Sequence, residues 1–359
     1  FGLLAALELH PTNKKCGVHA PIGGFRAVAN ALEELAVVNG VKILYDATVT
    51  QVTNSGVHVL MNGENDNDDD NNSNNGGADF VEADITVINA DLPYATTCLL
   101  DGANSNDDEV LSTSLDDCYD WNDSFRFSSG VIAFHWSLNK ELTALNTHNV
   151  FMMSQSRDVA KQSWEVLRSN TCTSSEHFAM DKQQQPFNFY VHRASGTDPT
   201  AAPNGCDAIM VLVPCQTLLR DEVCATLPRS EAMKRYKDQF DDEMVSSVRD
   251  GVLQRLSVLH GLEDLKEHIV HEAVDTPGSY ADLYNLATGT PFALSHGFGQ
   301  LSLTRPSAEC KEFGNVLFAG ASSRPGNGVP LVLLGAKSVA EKAQRKLSIL
   351  EEVEQVILQ

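Results

Sequence analysis

Asn315–Lys346 reads NVLFAGASSRPGNGVPLVLLGAKSVAEKAQRK, and three different patterns follow one another within it. Its opening NVLFA is apolar and predicts a buried strand. The residues from Gly320 to Pro330 predict a glycine-rich turn. Those from Leu331 to Lys346 predict a helix. One face of that helix carries small, apolar residues: Val332, Gly335, Ala336, Val339, Ala340 and Ala343.

The turn has the composition of a nucleotide-type cofactor site. A strand that stops at a glycine turn and continues as a helix points free backbone N–H groups and the positive end of the helix dipole at one spot. Gly326 and Gly328 allow the backbone to approach a flat ligand closely. Pro330 suits the first helical position, where its missing N–H costs nothing. A tight strand-to-helix connection without a ligand is the alternative that these residues leave open.

The usual dinucleotide fingerprint is absent from the sequence. The pairs Gly297–Gly299 and Gly326–Gly328 both lack the last glycine of GxGxxG, and the sequence contains neither a P-loop nor a GxSxG nucleophile elbow. The chain opens FGLLAALELH, without an initiator Met or a signal-peptide pattern. We therefore expect a piece of a longer protein, with any pyrophosphate loop lying before Phe1.

Helical and strand patterns follow one another along the rest of the chain. Apolar residues at helical spacing from Phe25 to Ala36, followed by Asn39-Gly40, predict a helix with a glycine cap. An apolar stripe at steps of three and four predicts a core-facing helix over 230–259. The segment 83–90, ADITVINA, predicts a strand buried on both faces, as in a parallel sheet. The other predicted strands are 41–44, 48–52, 57–61, 128–138, 149–153, 188–193, 208–214 and 268–272.

Size and charge narrow the possible functions. The chain has 359 residues, of which 42% are hydrophobic, which predicts two domains or one domain with a large insertion. Its formal net charge is -22, with no cluster of Lys and Arg, so binding to nucleic-acid phosphates is disfavoured. No apolar run approaches the roughly 20 residues of a transmembrane helix.

Neither metal sites nor a disulfide scaffold are indicated. The tract at 62–79, NGENDNDDDNNSNNGGAD, carries six acids and no base, and it predicts a disordered insertion. Read as a calcium loop from Asp66, it has Asn71 and Gly77 where Gly and a bidentate Glu are needed. The sequence has no HExxH and no CxxC pair, so no zinc site is predicted. Its eight cysteines predict thiols of a reducing compartment.

Several segments together resemble the bacterial and fungal type of phytoene desaturase, the FAD-dependent carotenoid desaturases. The resemblance runs from about Pro21 to Ala343. The final turn departs from the family's usual His-Pro-Gly-Thr-Gly, because Arg324 opens it and Asn327 replaces the Thr. Tyr280 stands where a Trp is common. The segments are PIGGFRAVANAL, ADITVINADLPYA, IAFHWSL with LNTHNVFM, FNFYVHRASGTDPTAAPNGCDAIMVLVP, TPGSYADLYNLATGTPFALSHGFGQLSLTRP and LFAGASSRPGNGVPLVLLGAKSVAEK.

The resemblance implies a fold, a cofactor and a reaction. The fold would be α/β (α+β), with a partial Rossmann-like FAD domain of the amine-oxidase-like type built from 1–100 and 301–359. A substrate domain with a mixed sheet would be inserted at 101–300. The reaction would remove a hydride and a proton from adjacent carbons of a C40 polyene and pass the hydride to flavin N5.

Candidate site residues also follow from the resemblance. Val49 would place its backbone at the adenine, with an ordinary strand valine as the alternative. The second FAD-domain strand would end at Asn89, Ala90 and Asp91, where a turn acid is the alternative for Asp91. Against the flavin and pyrophosphate would lie Gly320, Ala321, Gly328, Val329 and Pro330.

His296 and Arg305 are the candidate catalytic residues, because the family places their stretch near the substrate side of the flavin. A structural role is an equally open reading for His296. Phe134 and Trp136 are candidate substrate contacts on a polyene tunnel wall. Strand alternation puts both on one face, opposite His135, and plain core packing is the favoured alternative.

The resemblance also implies partners and a location. The substrate would be lipid-soluble, which implies peripheral contact with a membrane surface, in a plastid if the source is an alga and otherwise at the cytoplasmic membrane face. Oxygen or a quinone would reoxidise the flavin, and a homo-oligomer is left open. A carotenoid cis–trans isomerase or a retinoid saturase of the same superfamily is one alternative function. A non-catalytic piece that lacks FAD is another.

Overall fold

The computed structural model describes residues 21–61, 79–100, 125–151, 158, 188–215, 217, 240–297, 299–311 and 313–357. The predictions for 62–78 and for the first part of the helix at 230–259 lie outside these residues. Among the described residues, no helix combines the length and the apolar content that crossing a membrane requires.

Four helices of eight or more residues and ten strands are described. In chain order they are α1 (Gly24–Val38), β1 (Ala47–Val52), β2 (Gly56–Met61), β3 (Asp79–Glu82), β4 (Thr86–Ile88), β5 (Gly130–Leu138), β6 (His148–Phe151), β7 (Phe189–Arg193), β8 (Asp207–Cys215), α2 (Asp242–Leu256), β9 (Ile269–Asp275), α3 (Pro277–Tyr284), β10 (Val316–Phe318) and α4 (Val329–Ile357). Short helical turns follow β4, at Leu92–Tyr94 and Ala95–Leu99.

The chain divides into two compact units, each built from discontinuous segments. The first unit comprises Phe1–Ile43, Ser129–Gln216 and Lys237–Pro277. The second comprises Leu44–Ser128, Thr217–Tyr236 and Gly278–Gln359. The assignment of 1–100 and 301–359 to a FAD domain and of 101–300 to a substrate domain stays a prediction.

The first unit is organised around a five-stranded sheet in the order β6-β7-β8-β5-β9. Every described pairing in it is antiparallel, so the prediction of a mixed sheet is wrong for these strands. One face is covered by α2, because side chains alternate along each strand and the apolar set points to that side. The core includes Phe134, Trp136, Val211, Val252 and Leu256.

Helix α2 begins later than its apolar stripe predicts. Asp241 has an extended backbone, and its carboxylate accepts a hydrogen bond from Met244 N, which is the geometry of an N-cap. The helix therefore starts at Asp242, and the prediction of a continuous helix through 240–241 is wrong. The predicted core-facing stripe is confirmed from Met244 onward, since Met244, Val248, Val252 and Leu256 are all buried.

Helix α1 confirms its predicted ends. Gly40, with φ of 82°, donates from its N–H to Val37 O, and Val41 N donates to Ala36 O. This pair of bonds is the Schellman arrangement. Because the cap uses the Val41 N–H, the prediction of a strand at 41–44 is wrong, and β1 starts only at Ala47.

The second unit contains an antiparallel meander, β1-β2-β3, and a parallel pair, β4 with β10. The meander and the parallel pair share a core that includes Val52, Ile88, Leu92, Val316 and Phe318. The predicted parallel pairing of the ADITVINA segment is confirmed, but its strand has three residues and Val87 is 47% exposed. The prediction of a strand over 83–90 buried on both faces is therefore wrong.

Candidate functional site

The parallel pair in the second unit brings two predicted groups of residues together. Phe318 lies opposite Ile88, and Ala319 N donates to Ile88 O at 2.9 Å. Both strands therefore end at the same edge, where Asn89 and Gly320 follow them. Gly320 has φ of 119°, and a Cβ there would lie 3.3 Å from Asn89 Oδ1. The positive φ favours glycine at this position, and an added Cβ would also displace the Asn89 amide slightly.

Asp91 connects three segments at this edge. Its Oδ2 accepts a hydrogen bond from Ala287 N at 3.0 Å, and Ser322 Oγ donates to its Oδ1 at 3.4 Å. Asp91 also precedes the short helix Leu92–Tyr94. Its carboxylate therefore organises the loop after α3 and the glycine-rich turn, which agrees with the alternative reading of a turn acid.

The middle of the glycine-rich turn passes against His296. Gly326 has φ of 140°, and a Cβ there would lie 2.5 Å from His296 Nε2. Asn327 N donates to the same nitrogen at 3.3 Å, so His296 acts as an acceptor in its neutral form. Burial, and then the positive charge of Arg305, lower the pKa of His296, which favours that form.

The start of α4 is open and apolar. Gly328 has φ of 97°, and no atom lies within 4 Å of the position that a Cβ would take. Its carbonyl accepts from Val332 N, the first turn of the helix contains no acidic residue, and Val329 is 48% exposed. The helix N-terminus therefore presents backbone N–H groups and an apolar side chain. No carboxylate in the same turn offsets the positive end of the helix dipole.

Close packing holds this helix start against the turn. A Cβ on Gly335 would lie 3.1 Å from both Arg324 O and Pro325 Cδ. On the predicted face of small, apolar residues, Gly335 therefore packs against the turn, whereas Ala336 is exposed. Pro330 stands second in the helix rather than first, where a missing N–H still breaks no helical bond.

Arg305 is buried, with 1% of its surface exposed. Its guanidinium donates to backbone carbonyls throughout: Nε to Ala321 O, Nη1 to Ser295 O and Gln300 O, and Nη2 to Leu294 O and Ala321 O, at 2.5 to 3.2 Å. Burial lowers the pKa of Arg305 to about 10. The structure thus brings His296 and Arg305 together at the glycine-rich turn, with both engaged by the backbone.

Gln300 belongs to the same cluster and was missed by sequence reasoning. Its Oε1 accepts from Arg126 N at 2.9 Å, and its Nε2 donates to Arg126 O, Ser295 O and Ser295 Oγ. A buried amide in a glycine-rich loop has no spacing signature. Its position five residues before Arg305, within SHGFGQLSLTRP, was the available signal.

The other predicted site residues do not contribute to this turn. Val49 is half-buried on β1, where it packs on the core of the second unit. In the first unit, Phe134 and Trp136 are 0% and 1% exposed, with ring centroids 5.7 Å apart, and Trp136 Nε1 donates to Glu272. The predicted division of faces is confirmed, because His135 lies on the opposite face and pairs with Asp275. A tunnel-wall role for either ring stays a prediction.

That opposite face of the five-stranded sheet carries a groove of about 410 Å³. Registered strands place His192, Met210, His135 and Ala273 in one row across it. His192 Nδ1 bonds Thr147 O at 3.2 Å. In the part of the chain that the structure describes, no three His, Cys, Asp or Glu side chains are grouped as metal ligands.

Comparison with known proteins identifies the relatives of this chain. It is 31% identical over 329 residues to the phytoene desaturase of Neurospora crassa, an alignment that covers 91% of the chain and 48% of that protein. It is 30% identical over 343 residues to the zeta-carotene-forming phytoene desaturase of Myxococcus xanthus, covering 95% of the chain and 54% of that protein.

Over nine-tenths of its length or more, the chain is thus similar to several phytoene desaturases. It spans about half the length of the family members that it matches. No protein-family profile matches it. Among solved structures, an oxidoreductase from Methanosarcina mazei is similar at 18% identity and a TM-score of 0.46, covering 89% of the chain and 55% of that protein.

One segment that carries the family resemblance has a clear structural task in the first unit. In the block DPTAAP, Asp198 is buried and accepts hydrogen bonds from Gly23 N at 2.7 Å, Thr200 N at 2.9 Å and Thr200 Oγ1 at 2.6 Å. The bonds from Thr200, and then that from Gly23, lower the pKa of Asp198. The block therefore fixes the chain at the start of α1.

Proposed function

We propose that the protein is an FAD-dependent desaturase that converts phytoene, or a closely similar polyene, to more conjugated carotenes. The observation that carries the proposal is the match to phytoene desaturases, at about 30% identity, over nine-tenths of the chain. A desaturase from Staphylococcus haemolyticus named for 4,4'-diapophytoene matches over 94% of the chain at 26% identity, which keeps a shorter polyene as a second candidate substrate.

The second unit has features that suit FAD. Gly320, Gly326 and Gly328 all have positive φ, a Cβ on Gly326 would lie 2.5 Å from His296 Nε2, and Gly328 leaves open space beside the backbone. The first N–H groups of a helix have no partner within the helix, so the N-terminus of α4 suits a pyrophosphate or an electron-rich ring edge. We propose that Gly320, Ala321, Gly328, Val329 and Pro330 contact FAD, with Val329 and Pro330 at its ring system.

When bound, FAD would accept the hydride that leaves the polyene, and a quinone or oxygen would take the electrons onward. The chain itself would hold the ring system and exclude water. His296 and Arg305 are already engaged by backbone groups, so neither is assigned a proton-transfer step. Desaturation does not require a strong acid or base beside the hydrocarbon.

In the first unit, we propose that the open face of the sheet contacts the hydrocarbon. The opposite face is covered by α2 and holds Phe134 and Trp136 in the core. The open face offers Met210 and Ala208 beside the imidazoles of His135 and His192. Since the substrate resides in lipid, we also propose peripheral contact with a membrane, in a plastid or at the cytoplasmic face.

The experiment supplies the protein with FAD, a quinone and phytoene in liposomes, and analyses the pigments by mass spectrometry and absorption. A desaturase removes two hydrogen atoms per step and shifts absorption to longer wavelengths. An isomerase changes the absorption without changing the mass, and a saturase adds two hydrogen atoms. Unchanged phytoene in the presence of bound FAD contradicts the proposal. A protein that binds no FAD supports the reading of a non-catalytic piece.

A further inference from the structure

Two parts of one segment touch the glycine-rich turn near its two ends. Near the first end, Arg305 donates from Nε and Nη2 to Ala321 O, at 3.2 and 2.9 Å. Near the other end, His296 accepts from Asn327 N, and Asn327 Nδ2 donates to Phe292 O. The turn is therefore held on a support formed by residues 292–297 and 299–305, which we call the clasp segment.

Arg305 also holds the clasp segment together. Its remaining donors bind the carbonyls of Leu294, Ser295 and Gln300. An Arg guanidinium has five N–H donors in a fixed plane, and all five are used here. Arg305 therefore has no donor left for a substrate or a cofactor in this conformation.

The charge of Arg305 is compensated by backbone dipoles. Among the described residues, no carboxylate forms an ion pair with Arg305, which instead donates five hydrogen bonds to four backbone carbonyl oxygens. A buried charge is costly unless its hydrogen bonds are satisfied. Moving any of these carbonyl groups away from the guanidinium is therefore unfavourable. The guanidinium thus fixes the positions of both the turn and its support.

Two further bonds tie the middle of the turn to the same place. Arg324 Nε donates to Arg305 O at 2.9 Å, and Arg324 N donates to Pro306 O at 3.2 Å. Gln300, in turn, anchors the clasp segment to Arg126. Contacts at the beginning, middle and end of the turn therefore all converge on the clasp segment.

We infer that Arg305 is a positioning residue, which sets the backbone of Gly320–Gly328 in the conformation that receives the cofactor. This inference rests on the proposed function for its purpose, and on the five carbonyl contacts for its geometry. A Lys at this position would keep the positive charge, but its compact ammonium group has only three N–H donors, compared with five for Arg. It could not hold Ala321 and the clasp segment at the same time.

The test compares the wild type with Arg305→Lys and with Arg193→Lys. Arg193 is the matched control, because it is a largely buried Arg of the first unit, bound to Asp207, Glu141 and Leu145 O. Amide hydrogen exchange is measured by mass spectrometry over 288–300, 318–330 and 242–256. FAD affinity is measured by flavin fluorescence, and bound flavin is examined by visible circular dichroism.

We expect Arg305→Lys to lose protection at 288–300 and 318–330 while α2 keeps it. Loss of two or more hydrogen bonds to the turn would weaken FAD binding about 10- to 100-fold and change the circular dichroism of the remaining bound flavin. Arg193→Lys should leave the turn and the flavin signal unchanged.

Two outcomes contradict different parts of the account. Unchanged protection of 318–330 in Arg305→Lys, or an equal loss of protection in α2, overturns the positioning role itself. A wild-type protein that binds no FAD overturns the proposed function and the purpose assigned to the turn, whatever the exchange pattern of Arg305→Lys.

Discussion

The backbone at Gly326 runs past the imidazole of His296 with no room for a side chain. Its φ of 140° lies in a region that residues with a Cβ rarely adopt. The sequence allowed a close approach to be predicted at this glycine, but it named a flat ligand as the neighbour. The structure places a histidine there. The sequence thus identified single residues such as Gly326 and Arg305 as candidates, but it did not predict which residues they contact. Those partners come from another loop.

We expect Gly326→Ala to distort the turn, because the new methyl group would meet His296 Nε2 at 2.5 Å in an unfavourable backbone conformation. FAD affinity, measured by fluorescence titration, should fall by at least about tenfold, the equivalent of about 1.4 kcal/mol. Gly314→Ala is the matched control, since nothing lies within 4 Å of its added Cβ. Equal affinities of the two variants would contradict this view of the turn.

At the scale of elements, local sequence patterns predicted most strands and the apolar stripes of the helices. They failed to predict boundaries that are set by helix caps. The apolar 41–44 resembles a strand, yet the Schellman cap of α1 uses the Val41 N–H. The stripe of α2 continues before Asp241, yet the Asp241 carboxylate caps the helix there. Periodicity does not report such competition, because it records which residues are apolar and not which backbone groups are already bonded.

Helix α2 gives the stability prediction for the first unit. Leu256 is fully buried in the core between α2 and the sheet, so Leu256→Ala should lower the free energy of unfolding by about 2–5 kcal/mol. Leu283, on α3, is 66% exposed, and Leu283→Ala should change it by no more than about 0.5 kcal/mol. Urea denaturation measures both values. Similar losses for the two variants would contradict the assignment of the core face.

Helix α1 gives a prediction that depends on pH. It has no buried residue, so its position depends on contacts such as that of Asp198 with Gly23 N. The pKa of Asp198 is lowered in the folded protein, so its contribution is complete above about pH 3.9, the ordinary value. It is lost as the pH falls through the lower, folded value.

We therefore expect Asp198→Asn to increase hydrogen exchange at the start of α1 at neutral pH, where the wild type is protected. As the pH falls below about 3.9, the wild type should approach the variant. The exchange rates are compared after correction for the intrinsic dependence on pH. A difference that persists unchanged at the lowest pH would contradict the role of the ionised carboxylate.

At the scale of the whole molecule, the chain divides into two units built from discontinuous segments, whereas its length predicted only two domains or one domain with a large insertion. Strand β10, the glycine-rich turn and α4 were all expected from one stretch of sequence, since each is local. The antiparallel order of the five-stranded sheet was not, because pairing between distant strands leaves little trace in one sequence. The sequence allowed a cofactor site to be proposed at the glycine-rich turn, but the clasp segment that supports this turn depends on contacts between distant parts of the second unit.

Anaerobic mixing of the FAD-loaded protein with phytoene in liposomes tests directly whether this protein desaturates a polyene through FAD. The absorbance of oxidised flavin is followed in a stopped-flow instrument, without any added electron acceptor. The account predicts bleaching of the flavin that requires phytoene, together with formation of a carotene that has two fewer hydrogen atoms. Bound flavin that stays oxidised in the presence of phytoene would contradict it.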